Sequence, residues 1–81
     1  MPKVVAYQGY TIESAPHLLE REKWRLHISI SLEETFGVLV RHFDVENLYA
    51  TEQEADIHGI AYGQRIIDGK VEGRSVRDMK T

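Results

Sequence analysis

The sequence predicts an α+β domain in which a three-stranded antiparallel sheet packs against one C-terminal helix, in the order β-β-β-α. Three features carry that expectation. Trp24, Leu26, Ile28, Ile30 and Leu32 alternate strictly with Arg25, His27, Ser29 and Ser31, the pattern of a strand with one oily and one wet face. A second apolar alternation follows within a few residues. Thr51-Glu52-Gln53-Glu54 then forms a capping box at the start of a longer segment that ends at Asp68-Gly69.

In chain order, Val4 to Ile12 is rich in β-branched and aromatic residues and reads as the first strand. Gly9 inside it suggests a bulge or a close backbone approach. Ser14-Ala15-Pro16 ends that strand, and the polar stretch to Lys23 reads as a loop. After the Trp24–Leu32 strand, Glu33-Glu34-Thr35 reads as a three-residue turn. That turn pairs Leu32 with Phe36, Ile30 with Val38 and Ile28 with Val40, all on one face. Phe43 and Val45 then fall out of step, and a bulge near Arg41-His42 would restore them.

The helix is expected from Thr51 to about Ile67. Ala55, Gly59, Tyr62 and Ile66 share one face, with His58 and Gly63 at its edges, so the helix can lie close on the sheet. Gly59 and Gly63 each cost about 1 kcal/mol relative to alanine in a helix interior, and close packing is the compensation. Ile57, Ile60 and Ile67 project from the other side, around Gln64. Residues 1–69 are the expected single domain, and residues 70–81 a polar, flexible tail.

With 81 residues the chain is one domain, and it has no cysteine for disulfides or a thiolate zinc site. Apolar packing and self-association are left to stabilise it. Thirteen acids against ten bases give a net charge of −3, which disfavours tight non-specific binding to nucleic acid. The opening residues lack a leader-like apolar stretch, and no run is long and apolar enough for a membrane span. A cytoplasmic protein, without membrane partners, is the expectation.

Catalysis needs groups that converge, and the sequence offers few. His17, His27, His42 and His58 fall on a loop, two strands and a helix, without ligand-like spacing. Ser29 and Ser31 face solvent with no neighbouring base. The expectation is a protein that is not an enzyme, with no metal and no cofactor. Trp24 reads as a core anchor at the mouth of its strand.

Tyr7-Gln8-Gly9-Tyr10, Lys23-Trp24 opening a strand, Tyr49-Ala50-Thr51-Glu52-Gln53-Glu54-Ala55, Gly59 with Gly63, and Ile67-Asp68-Gly69-Lys70 together resemble a family of small bacterial proteins of unknown function. The likeness covers most of the chain to Lys70. It implies a three-stranded sheet with one helix, and it supplies no activity. The order of elements is more distantly similar to AP2-type plant DNA-binding domains and to the N-terminal arm-binding domains of phage-type integrases. Those place a three-stranded sheet in the major groove, with Arg and Trp side chains reading DNA. The corresponding residues here are Arg25, His27 and Arg41, but the dense arginine set of those domains is missing.

Two functional surfaces follow. Ile57, Ile60, Gln64 and Ile67 form a candidate partner-binding helix face, which suits an interaction module that pairs with a second copy or another protein. Arg25, His27, Ser29 and Arg41 form a candidate nucleic-acid face on the outer side of the sheet, and this is the alternative.

Overall fold

A computed structural model describes residues 3–79. Five strands and one main helix follow in order: β1 (Lys3–Tyr7), β2 (Tyr10–Ser14), β3 (His17–Leu19), β4 (Lys23–Glu34), β5 (Gly37–Tyr49) and α1 (Glu52–Ile67). The α+β architecture with an antiparallel sheet and a C-terminal helix is as expected, but the sheet has five strands rather than three.

Both extra strands come from local backbone geometry. Where one strand was expected over Val4–Ile12, Gln8 and Gly9 take positive φ, 53° and 86°, and turn the chain so that Tyr7 pairs with Tyr10. Two successive positive φ values are the mark of a tight hairpin turn whose twist matches its strands. Glutamine is an unusual residue there, which is why the turn was hidden. The expected loop before Lys23 contains β3. It folds back through a 3₁₀ turn at Glu20–Glu22, with Arg21 and Glu22 at positive φ, and pairs Leu18 with Trp24.

β4 organises the sheet. β5 runs along one of its edges from Trp24 to Glu34. β2 and β3 lie end to end along the other, at Ile28–Ser31 and Lys23–Arg25, and β1 lies beyond β2. The β4–β5 register differs from the expected one. The loop has two residues, Thr35 and Phe36, so Glu34 pairs with Gly37, Leu32 with Leu39, Ile30 with Arg41 and Ile28 with Phe43. Phe43 and Val45 therefore share the inner face with Leu26, Ile28 and Ile30 without a bulge at Arg41-His42. The irregularity lies further on, where β4 passes from Arg25 to Leu26 while β5 passes from Leu48 to Val45. Glu46 and Asn47 are thus looped out as a bulge.

α1 covers the inner face. Thr51 caps it, its hydroxyl accepting the Glu54 backbone N–H at 3.0 Å. The two helix glycines are where helix and sheet come closest. A Cβ on Gly63 would lie 2.7 Å from Ile12 Cγ2, and one on Gly59 would lie 2.8 Å from Ser14 Oγ. Beside this contact Ser14 donates to the buried Asp56 carboxylate at 2.8 Å, the hydrogen bond that lets both polar groups leave water. Ile12, Ile28, Ile30 and Ile66 are fully buried.

The segment expected to be a flexible tail from residue 70 instead completes the core, as far as it is described. Val76 and Met79 are buried. The Arg41 guanidinium donates to both Asp78 carboxylate oxygens, at 2.7 and 2.9 Å, and to the Ser75 carbonyl at 2.9 Å. Tyr10 donates to the Val76 carbonyl at 3.3 Å. Arg74 lies over the Phe43 and Tyr62 rings and donates to the Asp44 carbonyl. Residues 80–81 lie outside the described part. Among the described residues no helix is long and apolar enough to cross a membrane.

Candidate functional site

The inner face of the sheet is closed by the helix and the C-terminal segment. The opposite face is open, and two kinds of residue share it.

At one end lies a row of histidines that the sequence did not suggest. His17 of β3, His27 of β4 and His42 of β5 stack across three strands, with centroids 4.8 Å and 5.6 Å apart and planes within about 20°. They meet because β3 exists and because the true register brings His42 opposite Ser29 and Asp44 opposite His27. The expected pairing of Ile28 with Val40 would set Arg41 opposite His27, and the observed register corrects it. His27 Nδ1 lies 2.6 Å from Asp44 Oδ1, and Arg25 lies 3.8 Å from the other carboxylate oxygen. The His27 hydrogen bond, opposed by partial desolvation and helped by the charges of His27 and Arg25, holds the Asp44 carboxyl below its ordinary range. Among the described residues, no group of three or more His, Cys, Asp or Glu is arranged to hold a metal ion.

At the other end the face is apolar. Val38 and Val40 project from it, both more than half exposed, and Phe36 at the hairpin tip is fully exposed. Among the described residues β5 pairs only with β4, so its other edge offers backbone groups outside the sheet ladder over much of its length.

The four nucleic-acid candidates do not stay together. Arg25, His27 and Ser29 lie on the open face, as expected. Arg41 pairs with Ile30 on the inner side and is engaged by Asp78. The helix-face candidates are also divided. Ile60 is only 9% exposed, Gln64 and Ile67 are half-buried, and Ile57 alone is well exposed, at 56%. β1 packs against α1 as an added strand of the sheet, and Tyr7 donates to the Asp68 carboxylate at 2.8–2.9 Å at the helix end. That hydrogen bond raises the Tyr7 pKa above its ordinary value. The apolar face expected to be left over is largely used within the chain.

Fold and surface together define an α+β domain with an antiparallel sheet sealed on one face by a helix and open on the other. The chain belongs to the family described as Domain of unknown function (DUF6566), whose model matches residues 1–79. No curated protein and no solved structure matches it. The match supports the resemblance to an uncharacterised family and gives none to the AP2-type or integrase likeness.

Proposed function

We propose that this domain is a non-enzymatic interaction module that pairs with a second copy of itself through the free edge of β5 rather than through the helix. The observation that carries the reading is the exposed run Val38-Leu39-Val40 on an unpaired edge. Natural edge strands are usually blunted by lysine, proline or a bulge. β5 contains neither lysine nor proline, and its bulge lies at the far end, at Glu46 and Asn47. The run also reads the same in both directions. An antiparallel pairing centred on Leu39 sets Val38 of each copy opposite Val40 of the other, on the same face, and Leu39 opposite itself. A two-fold arrangement of this kind closes, so it gives a dimer and not a fibre.

A non-catalytic role is favoured by the surroundings of His27. Asp44 orients its ring, but among the described residues no hydroxyl hydrogen-bonds its other nitrogen. The nucleic-acid reading keeps Arg25, His27 and Ser29 but loses Arg41, and Asp44 sits among the residues that remain. Sedimentation across a concentration series tests the proposal. A dimer that Val40→Lys dissociates and Ile57→Glu leaves intact is expected. A monomer at high micromolar concentration overturns it, and so does a dimer that Ile57→Glu breaks and Val40→Lys does not.

A further inference from the structure

On the inner side, where β5 is bulged, the sheet and helix part to leave a cleft of about 270 Å³. Leu26 and Val45 supply its apolar lining. Tyr49 and His58 stack at one side, with centroids 4.7 Å apart and planes 15° from parallel, and Tyr62 adds a second aromatic surface. Asn47, a residue of the bulge, and Arg65, one turn beyond Ala61 on the helix, supply the polar groups.

Three features make this more than a gap in packing. The first is its charge. The chain carries net −3, yet none of the eight lining residues is a carboxylate, and the set includes one permanent cation and one imidazole. The second is that the Arg65 guanidinium, like that of Arg21 and unlike those of Arg25, Arg41 and Arg74, has no hydrogen-bond or ion-pair partner among the described residues, and of the two only Arg65 lines a cleft. Its planar fork suits a carboxylate held through two parallel hydrogen bonds. The third is the bulge. Looping out Glu46 and Asn47 interrupts the alternation of β5 beside the cleft, and bulges recur where a side chain must be re-aimed toward a site. The volume lies just below the usual range for ligand pockets, which points to a small ligand, and flat aromatic walls favour a flat one.

We infer that this cleft binds a small planar organic acid of single-ring size, its carboxylate on Arg65 and the Asn47 amide and its ring against the Tyr49–His58 stack and Tyr62. The site lies at the Val45–Tyr49 end of β5, away from the Val38-Leu39-Val40 run, so occupancy and self-association can be measured independently.

The probe is benzoate, titrated into the isotopically labelled full chain and followed by backbone amide shifts, with benzamide as the neutral isostere. Saturable shifts are expected at Asn47, Tyr49, His58, Tyr62 and Arg65. Loss of the charge, in benzamide or in Arg65→Gln, should weaken binding about tenfold or more, the scale of a charge-assisted hydrogen bond. Arg65 is exposed, so the variant should keep the parent's dispersed spectrum, and Lys70→Gln should bind as the parent does. The inference is overturned if benzoate gives no saturable shifts at the cleft in the millimolar range. It is equally overturned if benzamide binds as well as benzoate, or if Arg65→Gln binds as the parent does.

Discussion

The two faces of one sheet differ more than any two segments of the chain. Along β4, Leu26, Ile28 and Ile30 are sealed beneath α1, while Arg25, His27, Ser29 and Ser31 stay half-exposed on the open side. Along β5 the division is less tidy. Phe43 is buried and Val45 half-buried on the inner side, but Leu39 on that side and Val38 and Val40 on the other are exposed. β4 has a neighbour along both edges and a helix above it, so burial follows its alternation. Among the described residues β5 has one neighbouring strand, β4, and Leu39 near its turn end is exposed even on the inner side. An apolar residue there does not imply a core residue.

The largest effect that would break the comparison comes from truncating one β-branched residue to alanine on each face. Ile28→Ala, beneath the helix, should cost about 2–5 kcal/mol by removing packed methylenes and leaving a cavity. Val40→Ala should stay within roughly 0.5 kcal/mol, the usual range for surface substitutions. Urea denaturation at a protein concentration where the chain is monomeric measures both. Similar losses at the two positions would mean that the open face is covered.

A smaller effect tests how closely helix and sheet approach. Gly63→Ala gains about 1 kcal/mol in helix propensity. Its new methyl, however, would meet Ile12 Cγ2 at 2.7 Å, in a core where overpacking typically costs about 1–3 kcal/mol. Ile12 is fully buried and has little room to yield, so net destabilisation is expected in the same denaturation experiment. A stabilised variant would show that the helix can lift from the sheet at little cost.

These contrasts also mark what the sequence could convey. The β4 strand, the Thr51 cap, the Asp68-Gly69 stop and the close approach of Gly59 and Gly63 were all legible, because each depends on residues near one another in the chain. The register of β5 was not. A turn of two residues and one of three both leave an apolar face, and only the later Phe43 and Val45 separate them. Read as the inner-face residues they are, they require the two-residue turn at Thr35-Phe36 with no bulge at Arg41. The Gln8-Gly9 turn lacks the Asn or Asp that usually marks such a hairpin, so β1 is not legible as a separate strand. The histidine row is not legible either, since His17 needs β3 and His42 needs the observed β4–β5 register. The docking of Val76 and Met79 had no local signal, because two apolar residues in a polar segment show no period. The cleft beside Arg65 could not be foreseen without the bulge.

The smallest expected effect concerns the C-terminal segment, which continues the inner face beyond the helix. Its polar clasp is the paired contact of Arg41 with Asp78. The Arg41 hydrogen bond, opposed by slight desolvation, holds the Asp78 carboxyl below its ordinary value of 3.8, and the same contact raises Arg41. A carboxyl whose pKa is depressed by folding stabilises the folded state while it is ionised. That contribution is complete above the ordinary value and is lost as pH falls through the lower folded value. At neutral pH, therefore, the clasp is intact, and below roughly pH 4 it weakens as Asp78 takes up a proton. Both residues are substantially exposed, the bond from Arg41 to the Ser75 carbonyl needs no ionised acid, and Val76 and Met79 remain buried, so the segment should loosen and not detach. Hydrogen exchange at the Met79 amide, which donates to the Val76 carbonyl, reports this directly once corrected for the intrinsic pH dependence. Protection should fall as pH drops below roughly 4, the ordinary carboxylate range. Asp78→Asn should lower protection at neutral pH and abolish the acid-dependent step. Asp44, the other depressed carboxyl, lies on the open face with His27, so Asp44→Asn should keep the step. If the step survives in Asp78→Asn, the clasp does not hold the segment, and burial of Val76 and Met79 holds it alone.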